Sequence, residues 1–292
     1  MQRILLTGAG GQLGTELQKT APENIELLAL ARDELDISIP QKISNTISQF
    51  KPTIVINAAA FTAVDQAEES PEVAERINAL APGYLATSCR KSGAFLIHIS
   101  TDFVFDGLGN TPYKPDSKTS PLGSYGRTKL LGEEKILEEL STVLIIRTSW
   151  VYSAYGKNFV KTMLRLMEER DTVSVVEDQI GAPTWAKSLA KMIWTSLSKD
   201  DIAGIYHWSD EGNCSWYQFA KAIAEEAVNI GLIKRCAQVK PILSENYKTL
   251  ATRPGYSVLD YSSTSRDIGV SPLPWRVQLK SMLQDLKEKK NG

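Results

Sequence analysis

A glycine-rich turn directly behind the first apolar segment constrains the fold of this chain more than any other feature. Residues 4–7 are apolar, and glycines at Gly8, Gly11 and Gly14 lead into a helical stretch over residues 12–20. The free N–H groups and positive dipole end of a helix attract anions, so this order is typical of a phosphate-binding turn. A flexible glycine turn is the alternative, but the strand and helix on either side favour dinucleotide binding.

Apolar strands alternate with helical stripes through the first half of the chain. The pattern predicts strands over residues 4–7, 25–31, 53–57, 95–100 and 143–147, and helices over 12–20, 39–50, 71–92 and 125–140. Strands that read as continuous apolar runs are buried on both faces. The prediction is therefore an α/β fold with a doubly wound parallel sheet of the Rossmann type.

The alternation weakens after residue 150. Helices are predicted over 159–169, 187–197, 216–229 and 277–289, with short strands over 173–176 and 205–208. We expect a dinucleotide-binding domain over residues 1–150, and we expect residues 186–212 to return to it. Residues 151–292 are expected to form mainly a smaller C-terminal substrate domain.

Composition excludes several classes of protein. Lys and Arg number 33 against 34 Asp and Glu, so the net charge of −1 provides no overall basic field for a nucleic acid. Apolar runs are shorter than the roughly 20 residues of a membrane span, and the N-terminus reads as a strand rather than a signal peptide. We expect a soluble, cytoplasmic protein. Cys89, Cys214 and Cys236 are too widely spaced to indicate a disulfide framework or a zinc site.

Charged residues after the second strand bear on the choice of cofactor. Arg32 suits the 2′-phosphate of NADPH, whereas Asp33 and Asp36 suit the 2′-hydroxyl of NADH. Both cofactors therefore stay open, and a solvated charge run is the plain alternative.

Tyr125 and Lys129 stand four residues apart and share one helix face. A nearby ammonium is expected to lower the pKa of the phenol from its usual value of about 10. Tyr125 could then protonate a carbonyl oxygen as hydride reaches the carbon. Thr101, at the end of the fourth strand, could bond the same oxygen. Chance spacing and a turn-capping threonine are the alternatives.

The glycine turn with its spacing, Thr101 after the fourth strand, and Tyr125 with Lys129 together resemble the extended short-chain dehydrogenase/reductase family. Five strings narrow the resemblance to its dTDP-4-dehydrorhamnose reductases: residues 57–68, 100–107, 120–129, 147–152 and 178–184. The resemblance implies reduction by NADPH or NADH of the C4 keto group of dTDP-4-dehydro-L-rhamnose, which serves surface polysaccharide synthesis. Related dehydratases carry Thr-Asp-Glu after the fourth strand, whereas Phe103 stands here, so elimination lacks a proton-transfer group.

The resemblance also assigns roles to single residues. The catalytic set is Tyr125, Lys129 and Thr101. The cofactor set, with the glycines and Arg32 included, is Gly8, Gly11, Gln12, Leu13, Gly14, Arg32, Asp36, Ile37, Ala59, Ala60, Phe61, Thr62, Tyr125 and Lys129.

Four residues are expected to contact the sugar nucleotide. They are Thr101, Asp102, Trp150 and Arg253. Burial tendencies make Trp150 equally a core aromatic. The guanidinium of Arg253 suits a diphosphate, with a structural salt bridge as its alternative.

Some members of this family hold Mg²⁺ between carboxylates at a dimer interface. Glu16 matches one ligand and Asp285 stands in place of a Glu at a second, but Lys187 stands at the remaining position. An ammonium cannot ligate Mg²⁺, so we expect no metal, a salt bridge between Lys187 and Glu16, and a monomer or metal-free homodimer. His98 and His207 lie in apolar strands and are expected to be bonded strand residues rather than bases.

Two other functions stay open. One is a non-catalytic regulatory subunit of the methionine adenosyltransferase type, which would not oxidise NADPH. The other is an epimerase or reductase acting on a different nucleotide sugar, and an epimerase would retain its NAD through turnover.

Overall fold

The computed structural model describes residues 1–199 and 202–291, so residues 200, 201 and 292 of the predicted domains lie outside the described residues. The strands are β1 (Gln2–Thr7), β2 (Ile25–Leu30), β3 (Ile54–Asn57), β4 (Phe95–Thr101), β5 (Val143–Thr148), β6 (Val151–Tyr152), β7 (Thr172–Val176), β8 (Ile180–Gly181), β9 (Thr184–Trp185), β10 (Gly204–Trp208), β11 (Cys214–Ser215) and β12 (Gln238–Ile242).

The helices surround the strands in near-regular alternation through the first half. They are α1 (Gln12–Lys19), α2 (Pro40–Phe50), α3 (Val64–Glu69), α4 (Pro71–Glu75), α5 (Ala81–Ser92), α6 (Ser124–Glu139), α7 (Phe159–Glu169), α8 (Ala186–Ser196), α9 (Trp216–Asn229), α10 (Ser262–Ile268) and α11 (Trp275–Asn291). A π-helical turn over Arg76–Leu80 joins α4 to α5. No helix of the described residues is both long enough and apolar enough to cross a membrane.

The main sheet has six strands in the order β10-β5-β4-β3-β1-β2, and every neighbouring pair is parallel. The predicted doubly wound parallel sheet is therefore confirmed. The chain reverses its winding direction between β1 and β3. At such a switch point the carboxyl ends of the strands open onto a crevice that suits a ligand.

Both faces of the sheet are covered by helices, which explains the continuous apolar strands. Ile4 and Leu6 pack on one side with Leu13 and Leu17 of α1 and the apolar residues of α8. Leu5, between them, packs on the other side with α2 and α5. Alternate strand residues thus enter two separate apolar layers, as a buried parallel sheet requires.

A second apolar cluster forms after β5, from α7, α9 and α11 around Phe219 and Trp275. β10 nevertheless belongs to the main sheet, and α8 packs against α1. The two-domain division stays a prediction. The sequence patterns missed α3, α10 and the two-residue strands, whose short lengths show no periodicity. They also missed β12, which pairs with β7 although it contains Pro241.

The turn between β1 and α1 leaves no room for side chains at two of its glycines. Gly8 has a φ of +74°, and a Cβ there would lie 2.6 Å from the backbone nitrogen of Ala59. A Cβ on Gly14 would lie 2.2 Å from the carbonyl oxygen of Gly8. The turn therefore packs directly against the residues that follow β3, and the start of α1 packs directly against the turn.

We predict that Gly14→Ala lowers the free energy of unfolding by about 1–3 kcal/mol, because its Cβ would overlap backbone atoms that cannot move aside. Gly10→Ala is the matched control, since its Cβ would meet only the Ala31 Cβ at 3.8 Å. We expect the control to stay within about 0.5 kcal/mol of the original protein. Urea unfolding of both variants measures the difference, and equal midpoints would contradict the steric argument.

Candidate active site

The N-terminus of α1 lies at the crevice and has no side-chain cap. The residue before the helix, Gly11, is extended and provides no side-chain cap. The side chain of Gln12 turns away toward the second half of the chain, where its Oε1 accepts from Asn158 Nδ2 at 2.8 Å. Leu13 is buried beneath the turn. The backbone N–H groups at the start of α1 therefore remain available to an anion.

The segment after β2 places the charged residues at the edge of the crevice. Arg32 is exposed, and Ile37 is buried. Asp36 Oδ1 accepts from both the backbone nitrogen and the hydroxyl of Ser38, at 2.9 and 2.7 Å. These bonds, with a smaller contribution from the charge of Arg32, lower the pKa of Asp36. Asp36 is thus an ionised acceptor beside an exposed guanidinium.

The loop after β3 is fixed from two sides. Asn57 Oδ1 accepts from the backbone nitrogen of Ala59 at 3.2 Å. The side chain of Asn78 bonds both backbone groups of Phe61: Oδ1 accepts from the Phe61 nitrogen at 2.8 Å, and Nδ2 donates to the Phe61 carbonyl at 3.0 Å. Ala60 lies between these anchors, and Thr62 beyond them is exposed. Asn78 was not among the predicted site residues, although a polar residue between Ile77 and Ala79 was an available signal.

Thr101, Asp102 and Tyr125 meet at the carboxyl end of β4. Thr101 Oγ1 donates to Asp102 Oδ1 at 3.1 Å and accepts from the Phe103 nitrogen at 3.2 Å. The Tyr125 hydroxyl lies close enough to Thr101 for this side chain to lower its pKa, and the Tyr125 ring meets the ring of Phe103 edge to face at 5.5 Å. The structure therefore brings the predicted acid and its predicted helper together, although they are 24 residues apart in sequence.

Burial raises the pKa of Tyr125 to about 12, and the charge of Asp102 adds to the increase, whereas the Thr101 hydrogen bond opposes it. The expectation that Lys129 lowers this pKa is wrong for the arrangement in the structure. The side chain of Lys129 contacts β4 instead. Its Nζ donates to the Ile99 carbonyl at 2.6 Å and lies 3.2 Å from His98 Nε2.

Lys129 is itself buried beneath the site. Burial lowers its pKa to about 8, although the charge of Glu133 one turn later favours the ammonium form. His98 is completely buried, and burial together with the charge of Lys129 holds its pKa well below the usual value.

A buried ion pair anchors α6 to the sheet. Arg147 of β5 donates to Glu133 of α6, with NH2 and Oε2 2.7 Å apart. Ser100 donates to the same carboxylate, and Arg147 NH1 also reaches the Pro115 carbonyl at 3.1 Å. This network was not predicted, because its members come from four separate segments of the chain.

Asp102 and Trp150 stand where the main sheet meets the following segments. Asp102 is buried, its Oδ2 has no bonding partner among the described residues, and burial raises its pKa to about 6. Trp150 adopts a φ of +45°, which is rare for a bulky residue, and stacks on Trp216 with ring centroids 3.5 Å apart. A residue held in such a conformation is a candidate for a functional role.

Arg253 lies beside a large cavity behind this region. Its guanidinium pairs with Asp65 through two bonds of 3.2 and 2.9 Å, so the salt-bridge alternative is present in the structure. The cavity has a volume of about 880 Å³. Its lining includes Phe159, Val175, Gln179, Trp216, Tyr247 and Arg253.

The residues compared with a magnesium site lie near one another, since the charges of Lys187 and Asp285 both act on Glu16, but each is bonded to another side chain. Lys187 Nζ bonds Asp285 at 2.8 Å, so the expected partner, Glu16, is wrong. Glu16 is buried and accepts from the Ser153 hydroxyl at 2.6 Å. Burial raises the pKa of Glu16, which disfavours a free carboxylate. The described residues contain no group of three or more His, Cys, Asp or Glu that could hold a metal, and these three do not fit Mg²⁺.

The remaining histidine and two of the three cysteines are buried. His207 is buried in β10, and its Nδ1 lies 3.0 Å from the Tyr113 carbonyl oxygen. Burial lowers the pKa of His207 to about 3. Cys89, Cys214 and Cys236 are free thiols, and the first two are buried.

The whole chain is similar to one group of known proteins. The family described as RmlD substrate binding domain matches residues 1–288. A dTDP-4-dehydrorhamnose reductase of Aggregatibacter actinomycetemcomitans is 41% identical over 97% of this chain and 98% of its own length. The spore coat polysaccharide biosynthesis protein SpsK of Bacillus subtilis is also 41% identical, over 98% of each chain.

A solved structure agrees with these relatives. The dTDP-4-dehydrorhamnose reductase of Bacillus anthracis, crystallised in complex with NADP, superposes with a TM-score of 0.92 and 36% identity over 97% of this chain and 99% of its own. Sequence and fold thus agree over nearly the full length, and the chain belongs to the dTDP-4-dehydrorhamnose reductase family.

Proposed function

We propose that this chain reduces the C4 keto group of dTDP-4-dehydro-L-rhamnose with NADPH, giving dTDP-L-rhamnose for surface polysaccharide synthesis. The observation that carries the proposal is the meeting of Thr101, Asp102 and Tyr125 at the carboxyl end of β4. The phenol of Tyr125 and the neighbouring hydroxyl of Thr101 stand there near the switch point of the sheet, where a dinucleotide and a carbonyl substrate can meet.

The residues around the switch point fit a dinucleotide. The absence of room for a Cβ at Gly8 and Gly14 keeps the backbone close, and the start of α1 offers uncapped N–H groups to a pyrophosphate. Asp36 and Arg32 would hold the adenosine ribose, and Ala59 to Thr62 would line the middle of the cofactor. The bound reduced nicotinamide supplies a hydride to the substrate carbon.

Tyr125 would supply the proton that completes the reduction. The carbonyl oxygen gains negative charge as its carbon accepts hydride, and it then takes the phenolic proton to become the hydroxyl. Thr101 would hold the same oxygen in line with Tyr125. Lys129 in its ammonium form would bond the ribose hydroxyls and stabilise the phenolate that remains, because an opposite charge favours the ionised phenol.

The substrate would extend from this point into the second half of the chain. Asp102 presents an unbonded carboxylate oxygen that suits a sugar hydroxyl, and the Trp150 ring offers an apolar wall. The cavity beside Arg253 has room for the nucleotide, with the guanidinium able to bond its diphosphate. We also propose a cytoplasmic location and a monomer or metal-free homodimer.

A coupled assay tests the function directly. A 4,6-dehydratase and a 3,5-epimerase would generate dTDP-4-dehydro-L-rhamnose in situ, and NADPH oxidation would be followed at the nicotinamide absorbance. We expect oxidation that depends on the sugar. Oxidation of no cofactor would instead support a regulatory subunit, and NAD retained through purification and turnover would support an epimerase.

We predict that Tyr125→Phe lowers turnover by roughly 10²–10⁴-fold while NADPH still binds, because the ring remains and only the proton donor is lost. Tyr206→Phe is the matched control. Its hydroxyl bonds Asp267 at 3.2 Å, so the control should turn over like the original protein. The coupled assay and a fluorescence titration of NADPH give the two readouts. Near-normal turnover of Tyr125→Phe would remove this residue from the mechanism.

We predict that Arg32→Ala weakens NADPH binding by about 10- to 100-fold and leaves NADH binding nearly unchanged. The lost contact would be a charge-assisted bond to the 2′-phosphate, of about 1.5–3 kcal/mol. Arg90→Ala, which removes an exposed arginine paired with Glu139, is the control. Equal losses for both cofactors would show that Arg32 does not read the 2′-phosphate.

We predict that EDTA changes neither turnover nor oligomeric state, because Lys187 neutralises Asp285 and Glu16 is bonded to Ser153. Sedimentation and the coupled assay, each with EDTA and with added Mg²⁺, make the measurement. A monomer that dimerises on adding Mg²⁺, and loses this response in Glu16→Ala, would contradict the prediction.

A further inference from the structure

A chain of buried hydrogen bonds connects the glycine-rich turn to the candidate catalytic lysine. Thr7 Oγ1 donates to Asn57 Oδ1 at 2.7 Å, and Asn57 Nδ2 lies 3.0 Å from His98 Nδ1. His98 Nε2 in turn lies 3.2 Å from Lys129 Nζ. Thr7, Asn57, His98 and Lys129 are each no more than 1% exposed. The proposed mechanism uses the lysine and leaves the other three side chains without a role.

The direction of these hydrogen bonds is fixed at one end by the backbone. The Ala59 N–H can only donate, and it donates to Asn57 Oδ1 together with the Thr7 hydroxyl. The amide nitrogen of Asn57 therefore points to His98 and donates to Nδ1. A neutral imidazole that accepts at Nδ1 carries its hydrogen on Nε2. His98 is neutral, because its complete burial holds its pKa well below the usual value.

The hydrogen on His98 Nε2 points at Lys129 Nζ, which already donates to the Ile99 carbonyl at 2.6 Å. An ammonium group has only donors and cannot accept this hydrogen. An uncharged amine has one lone pair and can. We propose that His98 is a positioning residue that favours the uncharged amine of Lys129 in the free protein, so that in mildly alkaline solution the binding of NADPH takes up one proton.

The inference rests on the proposed function, because that function requires Lys129 as a cation beside the Tyr125 phenol. Lys129 leaves His98 for the ribose hydroxyls, and the negative charge of the dinucleotide favours the ammonium form. The incoming proton goes from solvent to the lone pair of Nζ. No other bond forms or breaks in this step.

The groups around Lys129 determine the pH range of the effect. His98 faces it from β4, and Tyr125 and Glu133 lie on its own helix. Arg147 on β5 is bonded to Glu133, and Asp102 lies next to Tyr125. Burial lowers the pKa of Lys129 to about 8, whereas burial raises the pKa of Tyr125 to about 12 and that of Asp102 to about 6. Lys129 is thus the one of these three groups that changes charge between pH 7 and 9.

The sign of the pH dependence follows. Binding raises the pKa of Lys129 above its value in the free protein, so protons are taken up between the two values and affinity falls as pH rises. Above pH 8 the Kd of NADPH should increase by about tenfold per pH unit. The 2′-phosphate of NADPH titrates near pH 6 and does not contribute in this range.

Isothermal titration of the full chain with NADPH at pH 9, in two buffers of different ionisation enthalpy, counts the protons. We expect an uptake approaching one proton per NADPH at pH 9 and close to none at pH 7. Lys129→Met should abolish the uptake, which identifies the site of the proton. No uptake by the original protein at pH 9 would overturn the proposal without any variant being needed.

Variants of His98 separate positioning from plain structure. His98→Leu removes the Nε2 donor, so Lys129 becomes charged more readily and the uptake at pH 9 should fall to less than half. His98→Gln keeps an N–H donor within reach of Lys129 and should restore the proton uptake. His207→Gln changes the only other histidine and should leave the uptake unchanged.

The outcomes distinguish this inference from the function on which it rests. Uptake in His98→Leu equal to that of the original protein would overturn the positioning role. Proton-coupled NADPH binding without turnover in the coupled assay would reject the reduction and support the role of His98. Failure to bind NADPH at any pH would overturn both.

Discussion

Polar side chains buried in the carboxyl halves of the strands are the constraint on which the site depends, because each must find a hydrogen-bonding partner without water. Thr7, Asn57 and His98 form one bonded series across β1, β3 and β4. Ser100 and Arg147 form a second through Glu133. Both series end on α6, so the helix that carries Tyr125 and Lys129 is fixed to the sheet at two points. Breaking a buried ion pair such as Arg147–Glu133 typically costs about 3–5 kcal/mol.

The parts of the fold that sequence predicted are those with a local cause. Two buried faces produce continuous apolar strands, and one buried face produces the helical stripes, so the sheet and most long helices were predictable. The glycine turn was predictable because Gly8 and Gly14 must lack a Cβ, a requirement visible in residue type alone. Tyr125 and Lys129 were predictable because they share one helix.

The features that sequence could not predict are contacts between distant segments. Asn78 brackets Phe61 across 17 residues, and Arg253 meets Asp65 across 188. Lys187 illustrates the difficulty, since the sequence analysis expected Glu16 as its partner, whereas the packing of α11 brings Asp285 to it. The pKa of Tyr125 is a second case. Spacing from Lys129 indicated a lowered value, whereas burial and Asp102, which depend on tertiary structure, raise it to about 12.

Burial shifts the pKa values of Tyr125 and Lys129, both on α6, in opposite directions. The two charged forms are therefore stabilised only when they occur together. It raises the pKa of Tyr125 because it penalises the phenolate, and it lowers the pKa of Lys129 because it penalises the ammonium. Each charge alone is therefore costly, whereas a phenolate beside an ammonium offsets both penalties. Asp102 works against the phenolate, so the charge on Lys129 must outweigh it. How readily Tyr125 releases its proton then depends on whether Lys129 is protonated. Because His98 is the neighbour of Lys129, it affects the same equilibrium.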